Sequence, residues 1–182
     1  NWNSISSQFL SKAALVRNIG LAPNDIISHA YPLEGNEKAI GLDFRTVPNQ
    51  YETVQIAKDT QKVFIAGPLE LVQGGRALIA RYPIFTDSPK NKNYWGGLSV
   101  VINYDKLIEA SKIQDVIGAN IALVATNSNG ESNRLIEGNN IAVENYDISY
   151  PIYLPNNNWT LFASYKDFSE IDSIYKFKII FM

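Results

Sequence analysis

The feature that most constrains this chain is a pair of apolar, β-rich runs, 63–72 (VFIAGPLELV) and 77–85 (ALIARYPIF), separated by Gln73, Gly74 and Gly75. Two glycines in so short a connection supply the positive φ angles of a tight reversal, so the runs predict an antiparallel hairpin. A hairpin alone does not make a core. The segment 94–103 (YWGGLSVVIN) predicts a third strand, with Gly96 and Gly97 marking a bulge or a close backbone approach. Residues 121–126 predict a fourth strand, closed by turn chemistry at Asn129 and Gly130. Partial alternation over 146–154 and clearer alternation over 158–166 predict a second hairpin around 155–157, with Pro151 placing its strand at an edge or bulge.

Helical patterns flank these strands. Trp2, Ile5, Phe9, Val16 and Ile19 follow three-and-four spacing and predict a helix over 2–19, stopped by Gly20 and Pro23. The same positions fit a heptad seam, which suits either a partner subunit or the helix's own core. The run 39–44 (AIGLDF) reads as a strand. Residues 46–62 read as a helix with Pro48 in its first turn and Val47, Tyr51 and Val54 on one face. A short helix follows at 104–110, and Phe168, Ile171, Tyr175 and Met182 predict a C-terminal helix. The expected architecture is α+β, an antiparallel sheet with helices at its faces and ends, in a single domain: an N-terminal helix over 1–20, a core over 39–166 and a C-terminal helix over 167–182.

Composition removes several function classes. With 46% hydrophobic and 19% charged residues over 182 positions, the chain buries enough apolar surface to fold unaided. A formal net charge of -2, with lysine and arginine scattered, gives no footprint for nucleic acid or an anionic membrane surface. The absence of cysteine removes disulfides, thiolate metal sites and cysteine nucleophiles. A helical start and an FKIIFM end are the arrangement expected of a segment lying between two membrane spans.

No residue set for catalysis emerges. His29 cannot form a two-histidine metal site, and its neighbours Ser28 and Tyr31 lack a nucleophile spacing. Gly74 and Gly75 precede a strand, not the helix that a phosphate or dinucleotide loop requires. No cofactor and no metal are expected. Asp43, Glu70 and Asp87 are carboxylates whose separation the sequence does not fix. Asp43 stands out because it interrupts an apolar run, where it either pairs with Arg45 or contacts a ligand. Arg76 and Arg81 are five apart on one strand and therefore face opposite ways, so at most one addresses a given pocket. A guanidinium near Tyr82, Tyr94 and Trp95 suits a carboxylate or planar ligand, and equally a surface ion pair. The Asn158, Trp159, Thr160 glycosylation pattern is too short to carry a role.

Taken together, AIGLDF at 39–44, the amphipathic segment to Lys62, GPLELVQ at 67–73 and ARYPIF at 80–85 resemble the CHASE domain. That family comprises extracytoplasmic sensory modules of membrane histidine kinases, nucleotide cyclases and cyclic-di-GMP enzymes, and includes plant cytokinin receptors. The resemblance is densest over 31–104 and continues through YWGGLSVVINYDKLI and LPNNNWTLFASY. It implies a PAS-like sheet on a long N-terminal helix, membrane segments outside both ends, a homodimer through the N-terminal helix, and a periplasmic or extracellular location. It also implies a small-molecule ligand and a cytoplasmic output domain such as a diguanylate cyclase, phosphodiesterase or histidine kinase; a ligand-free interaction or dimerisation module is the competing expectation. The ligand-contacting positions carried over are Asp43, Leu71 and Arg81. Phe64, Ala66, Arg76 and Tyr94 complete the expected ligand-facing set. The cytokinin receptors carry threonine where this chain has Ala66 and Arg81, and a cationic side chain there favours an anionic ligand over an adenine-type one. The short interval between Gly20 and Ala39 predicts one PAS-like lobe plus the helix.

Overall fold

The glycine-turned hairpin forms as its sequence predicts. In the computed structural model, which describes residues 1–86, 93–126, 134–155 and 157–166, strand β3 (Phe64–Glu70) pairs antiparallel with β4 (Arg76–Thr86), Phe64 opposite Arg81 and Ala66 opposite Ile79. The register shifts between Ala66 and Leu69, at Gly67 and Pro68, where a Cβ on Gly67 would meet the Ala77 carbonyl oxygen at 2.6 Å. Strand β4 also pairs with β5 (Asn93–Asn103), placing Arg81 opposite Ser99.

Where the sequence predicts one core over 39–166, the chain divides into two compact units, Asn1–Leu107 and Ile108–Met182. The first is built on a five-stranded antiparallel sheet of order β2-β1-β5-β4-β3, completed by β1 (Val16–Pro23) and β2 (His29–Tyr31). Cross-strand partners share a face. Arg81, Ile79, Ser99, Val101 and Asn18 therefore lie on one side, and Ala80, Val100 and Ile19 on the other. Helix α2 (Pro48–Thr60) packs on the first of these faces, and α1 (Trp2–Leu10) sends Trp2 onto the Ile19, Ala80 and Val100 cluster on the second. At Gly96 the close approach is real: a Cβ would lie 2.2 Å from the Ala22 oxygen.

Two predicted elements are corrected. The N-terminal helix is short, not long: Asn1 caps α1 through Ser4, the helix ends at Leu10, and residues from Val16 onward form β1. Because β1 lies between two strands and is buried on both faces at Asn18, Ile19 and Gly20, its sequence shows no alternation, and Val16 and Ile19 continue a helical spacing by accident. The 39–44 run is not a strand. It is broken by Gly41 at φ +82° and closes in a 3-10 turn over Phe44–Thr46 capped by Asp43, leaving one bridge between Ile26 and Asp43. The helix over 46–62 is borne out by α2, the third strand by β5, and the short helix by α3 (Tyr104–Ser111).

The second unit holds a four-stranded antiparallel sheet of order β7-β6-β9-β8, from β6 (Ala119–Thr126), β7 (Arg134–Gly138), β8 (Ile148–Leu154) and β9 (Asn157–Tyr165). The β8 and β9 pair is the predicted second hairpin, with Pro151 on an edge strand. Strand β7 and the single-turn α4 (Ile141–Glu144), whose Ala142 is fully buried, have no counterpart in the sequence reading. The predicted turn at 127–130 and the C-terminal helix at 167–182 lie outside the described residues. Among the described residues no helix is long and apolar enough to cross a membrane.

Candidate ligand site on the first sheet

Arg81 is the centre of the candidate site. It projects from the middle of β4 beneath α2 and is only 4% exposed. Its Nη1 donates to Ser99 Oγ at 2.8 Å and its Nη2 to Gln50 Oε1 at 3.1 Å, while the guanidinium carbon stands 4.4 Å from the centre of the Phe44 ring. Both hydrogen-bond acceptors are neutral, and among the described residues Arg81 forms no ion pair. Its buried Nε donates to nothing. A desolvated cation without a direct ion pair is among the more costly groups a fold can hold. Burial lowers the Arg81 pKa to about 10, with the fields of Tyr94 and Asp25 acting in the opposite sense, so the group remains charged at neutral pH.

The acidic partner of this region is Asp25, not Asp43. Asp25 sits just after β1 in a left-handed conformation, φ +64°, is 7% exposed, and accepts a 2.6 Å hydrogen bond from Tyr94 Oη. Burial first, and then Asp25, push the Tyr94 phenol well above its ordinary value, so it stays protonated and donating. Lys58 of α2 places its Nζ 4.8 Å from the centre of the Tyr94 ring.

Two small cavities meet at Arg81. One, of about 10 Å³, is lined by Arg81, Tyr94, Asp25, Phe44 and Val54. The other, of about 30 Å³, is lined by Arg81, Asn18, Gln50, Ser99, Leu71 and Gly20 among others. Each has room for about one or two waters. A larger occupant enters only when a wall moves. One wall of the second cavity is Leu71, Val72 and Gln73, at the start of the glycine turn. That turn is strapped down by Arg17, whose guanidinium donates to the carbonyl oxygens of Gly74 and Gln73 and also of Gly35.

The predicted ligand-facing residues separate into three groups. Arg81, Tyr94 and Leu71 line the cavities. Phe64 and Ala66 belong to the apolar cluster with Ala77, Ile79 and Val101. Asp43 and Arg76 lie outside both cavities. Asp43 is held by Arg45 Nε at 2.7 Å and Nη2 at 2.8 Å, which keeps its carboxyl below the usual aspartate range, and Arg76 reaches Asp105 at 2.6 Å on the opposite side of β4 from Arg81. Sequence reasoning missed Asn18, Asp25, Gln50 and Ser99. Gln50 was readable, since Gln50, Val54 and Ala57 form one stripe of α2 and all are buried. Ser99 follows from the hairpin register once Arg81 is chosen. Asp25 looks like ordinary turn chemistry after Pro23 and Asn24.

With this geometry in view, the sequence profile of the CHASE domain matches residues 17–136. The chain belongs to the CHASE family. A CHASE domain is a sensory and not a catalytic module, and this one lies on the extracytoplasmic side of the membrane. Solved structures of similar fold include an extracellular ligand binding receptor from Desulfohalobium retbaense, with a TM-score of 0.66 and 15% identity over 90% of this chain. This CHASE chain spans 33% of that receptor's length. The extracellular domain assigned to a histidine kinase, rpHK1S-Z16, gives a TM-score of 0.56 and 12% identity, covering 91% of this chain and 77% of that one. The sensory domain of the Campylobacter jejuni chemoreceptor Tlp3 (CcmL) gives 0.54 and 16%, covering 92% and 74%. No curated protein matches the sequence.

Proposed function

We propose that this CHASE domain is the ligand-sensing input of a transmembrane receptor and that its ligand is a small anion seated against Arg81, with Tyr94 and Leu71 on the same walls. The observation that carries this reading is the buried guanidinium, bonded only to neutral groups and with its Nε unpaired. An anion entering beside it supplies both the missing charge and the missing acceptor. The first unit's five-stranded sheet serves as the PAS-like sheet of the family resemblance, and the full receptor carries a cytoplasmic output domain such as a diguanylate cyclase, phosphodiesterase or histidine kinase. Ile5 and Phe9, exposed on α1 although apolar, support pairing with a second copy through that helix.

A thermal-shift screen of small carboxylates tests the reading, because a cognate ligand stabilises by mass action. Arg81→Met is expected to weaken the best acid about 30-fold or more, while changing the stability of the unliganded protein by no more than about 2 kcal/mol. An acid that binds the Arg81→Met variant as tightly as the unsubstituted protein sinks the assignment. The small size of both cavities favours one second reading, an interaction module without a small-molecule ligand. A screen in which no acid raises the melting temperature favours that alternative.

A further inference from the structure

Arg81, with its unpaired Nε, is not the only residue lining the larger of the two cavities that carries a stranded atom. Asn18, from β1, lines the same space, is 3% exposed, and its Oδ1 accepts no hydrogen bond. Register explains how the two come together. Asn18 lies opposite Val101, and Gly20 lies opposite Ser99, which in turn lies opposite Arg81. All of these positions share the α2 face of the sheet. Because Gly20 has no side chain, the row from Gly20 to Arg81 leaves a hollow, and Asn18 stands at its next position along β1. A Cβ on Gly20 would find only the His29 carbonyl oxygen, at 3.7 Å.

Two residues that line the cavity therefore each carry a buried, unsatisfied polar atom, a donor on the Arg81 cation and an acceptor on the neutral Asn18 amide. Buried polar groups left without partners are each costly, and two of opposite kind on one small cavity match a ligand that carries both complements. We infer that the ligand is a carboxylate bearing a hydrogen-bond donor, a hydroxyl or an ammonium, on the carbon next to the carboxyl group, with Arg81 holding the carboxylate and Asn18 Oδ1 accepting from the donor. This rests on the anion reading of Arg81 and deepens it. Asn18 is the specificity-determining residue: a plain acid satisfies Arg81 and leaves Asn18 stranded.

The test is calorimetric titration of the 182-residue chain with matched acids: propionate, lactate and alanine; succinate, malate and aspartate; 3-phenylpropionate, 3-phenyllactate and phenylalanine. In at least one set the donor-bearing acid is expected to bind about five- to tenfold tighter than the plain one, as one further hydrogen bond allows. Comparison of the hydroxy and amino members identifies which donor is used. Asn18→Leu is expected to erase that preference and to leave the melting temperature of the unliganded protein unchanged or higher, since it removes a stranded polar group from an apolar wall. Gly20→Ala, sterically tolerated, places a methyl group in the hollow and is expected to weaken the donor-bearing acid more than the plain one. Equal binding of plain and donor-bearing acids, or a preference that survives Asn18→Leu, overturns the inference and leaves the anion reading intact. Absence of binding by every acid overturns both.

Discussion

The two units of the chain are both antiparallel sheets with helices against them, yet they spend their interiors differently. Among the described residues, every buried polar or charged side chain except Ser164 lies in the first unit, Asn18, Asp25, Gln50 and Arg81 among them. The second unit has the larger opening, a cleft of about 250 Å³ lined by Gln114, Glu137 and Lys166 among others. Gln114 donates to Glu137 at 2.9 Å there, and among the described residues none of the cleft's polar side-chain atoms is both buried and unpartnered. The first unit's cavities are far smaller, but two of the residues that line them, Asn18 and Arg81, carry buried side-chain atoms without a partner. On the proposed reading, volume is a poorer guide to the ligand site than a cavity-lining polar group that the fold has buried and left unsatisfied.

The contrast can be broken most forcefully at two glycines. A Cβ at Gly138 would lie 1.9 Å from the Ile121 oxygen, and at Gly96 2.2 Å from the Ala22 oxygen, both at positive φ. Each change to alanine is expected to cost about 3 kcal/mol or more in its own unit. If the comparison holds, Gly138→Ala leaves acid binding by the first unit in place, whereas Gly96→Ala abolishes it. Titration of the two variants decides, and loss of binding in both merges the units into one cooperative body.

A smaller effect is expected from Tyr94→Phe, which strips the 2.6 Å hydrogen bond from the nearly buried Asp25 carboxylate. A loss of about 1–3 kcal/mol is expected in chemical denaturation. Arg76→Ala, on the opposite side of the same strand from Arg81, removes an exposed ion pair with Asp105. It is expected to cost less than about 1 kcal/mol and to leave acid affinity unchanged, which isolates burial as what distinguishes the two arginines. The least effect is expected at Asp43→Asn. Arg45 lowers the Asp43 pKa below 3.8, so the stability that this pair adds is present above the ordinary aspartate value and is lost as the pH falls through the lowered one. An acid titration of stability should therefore flatten slightly in the variant, whose small deficit near neutrality disappears as the pH falls through the lowered value.

The sequence revealed the sheet better than the site. The hairpin of β3 and β4 was legible because Gly74 and Gly75 have one plausible use between two β-rich runs, and α2 was legible from Pro48 and its apolar stripe. Strand β1 was not, since a central strand loses the alternation that identifies an edge or half-buried one. Within the site, Arg81 was found by resemblance and Tyr94 by proximity along the chain. Asp25 and Asn18 were beyond reach, because what matters about them is a position across the fold and a partner that is missing. Asp43 was singled out for interrupting an apolar run, and the run proved to be a capped turn whose arginine neighbour satisfies it.

The strap that Arg17 lays across the glycine turn has a kinetic consequence. The turn walls the larger cavity, and its hold consists of hydrogen bonds from one guanidinium to backbone carbonyl oxygens, without an ion pair among the described residues. Such a fastening depends little on the side chains of the turn itself and is open to water. For an acid bound at Arg81 as proposed, the residence time would follow how often this clasp unfastens, so that dwell and strength of binding would be separately adjustable, the first at Arg17 and the second at Arg81.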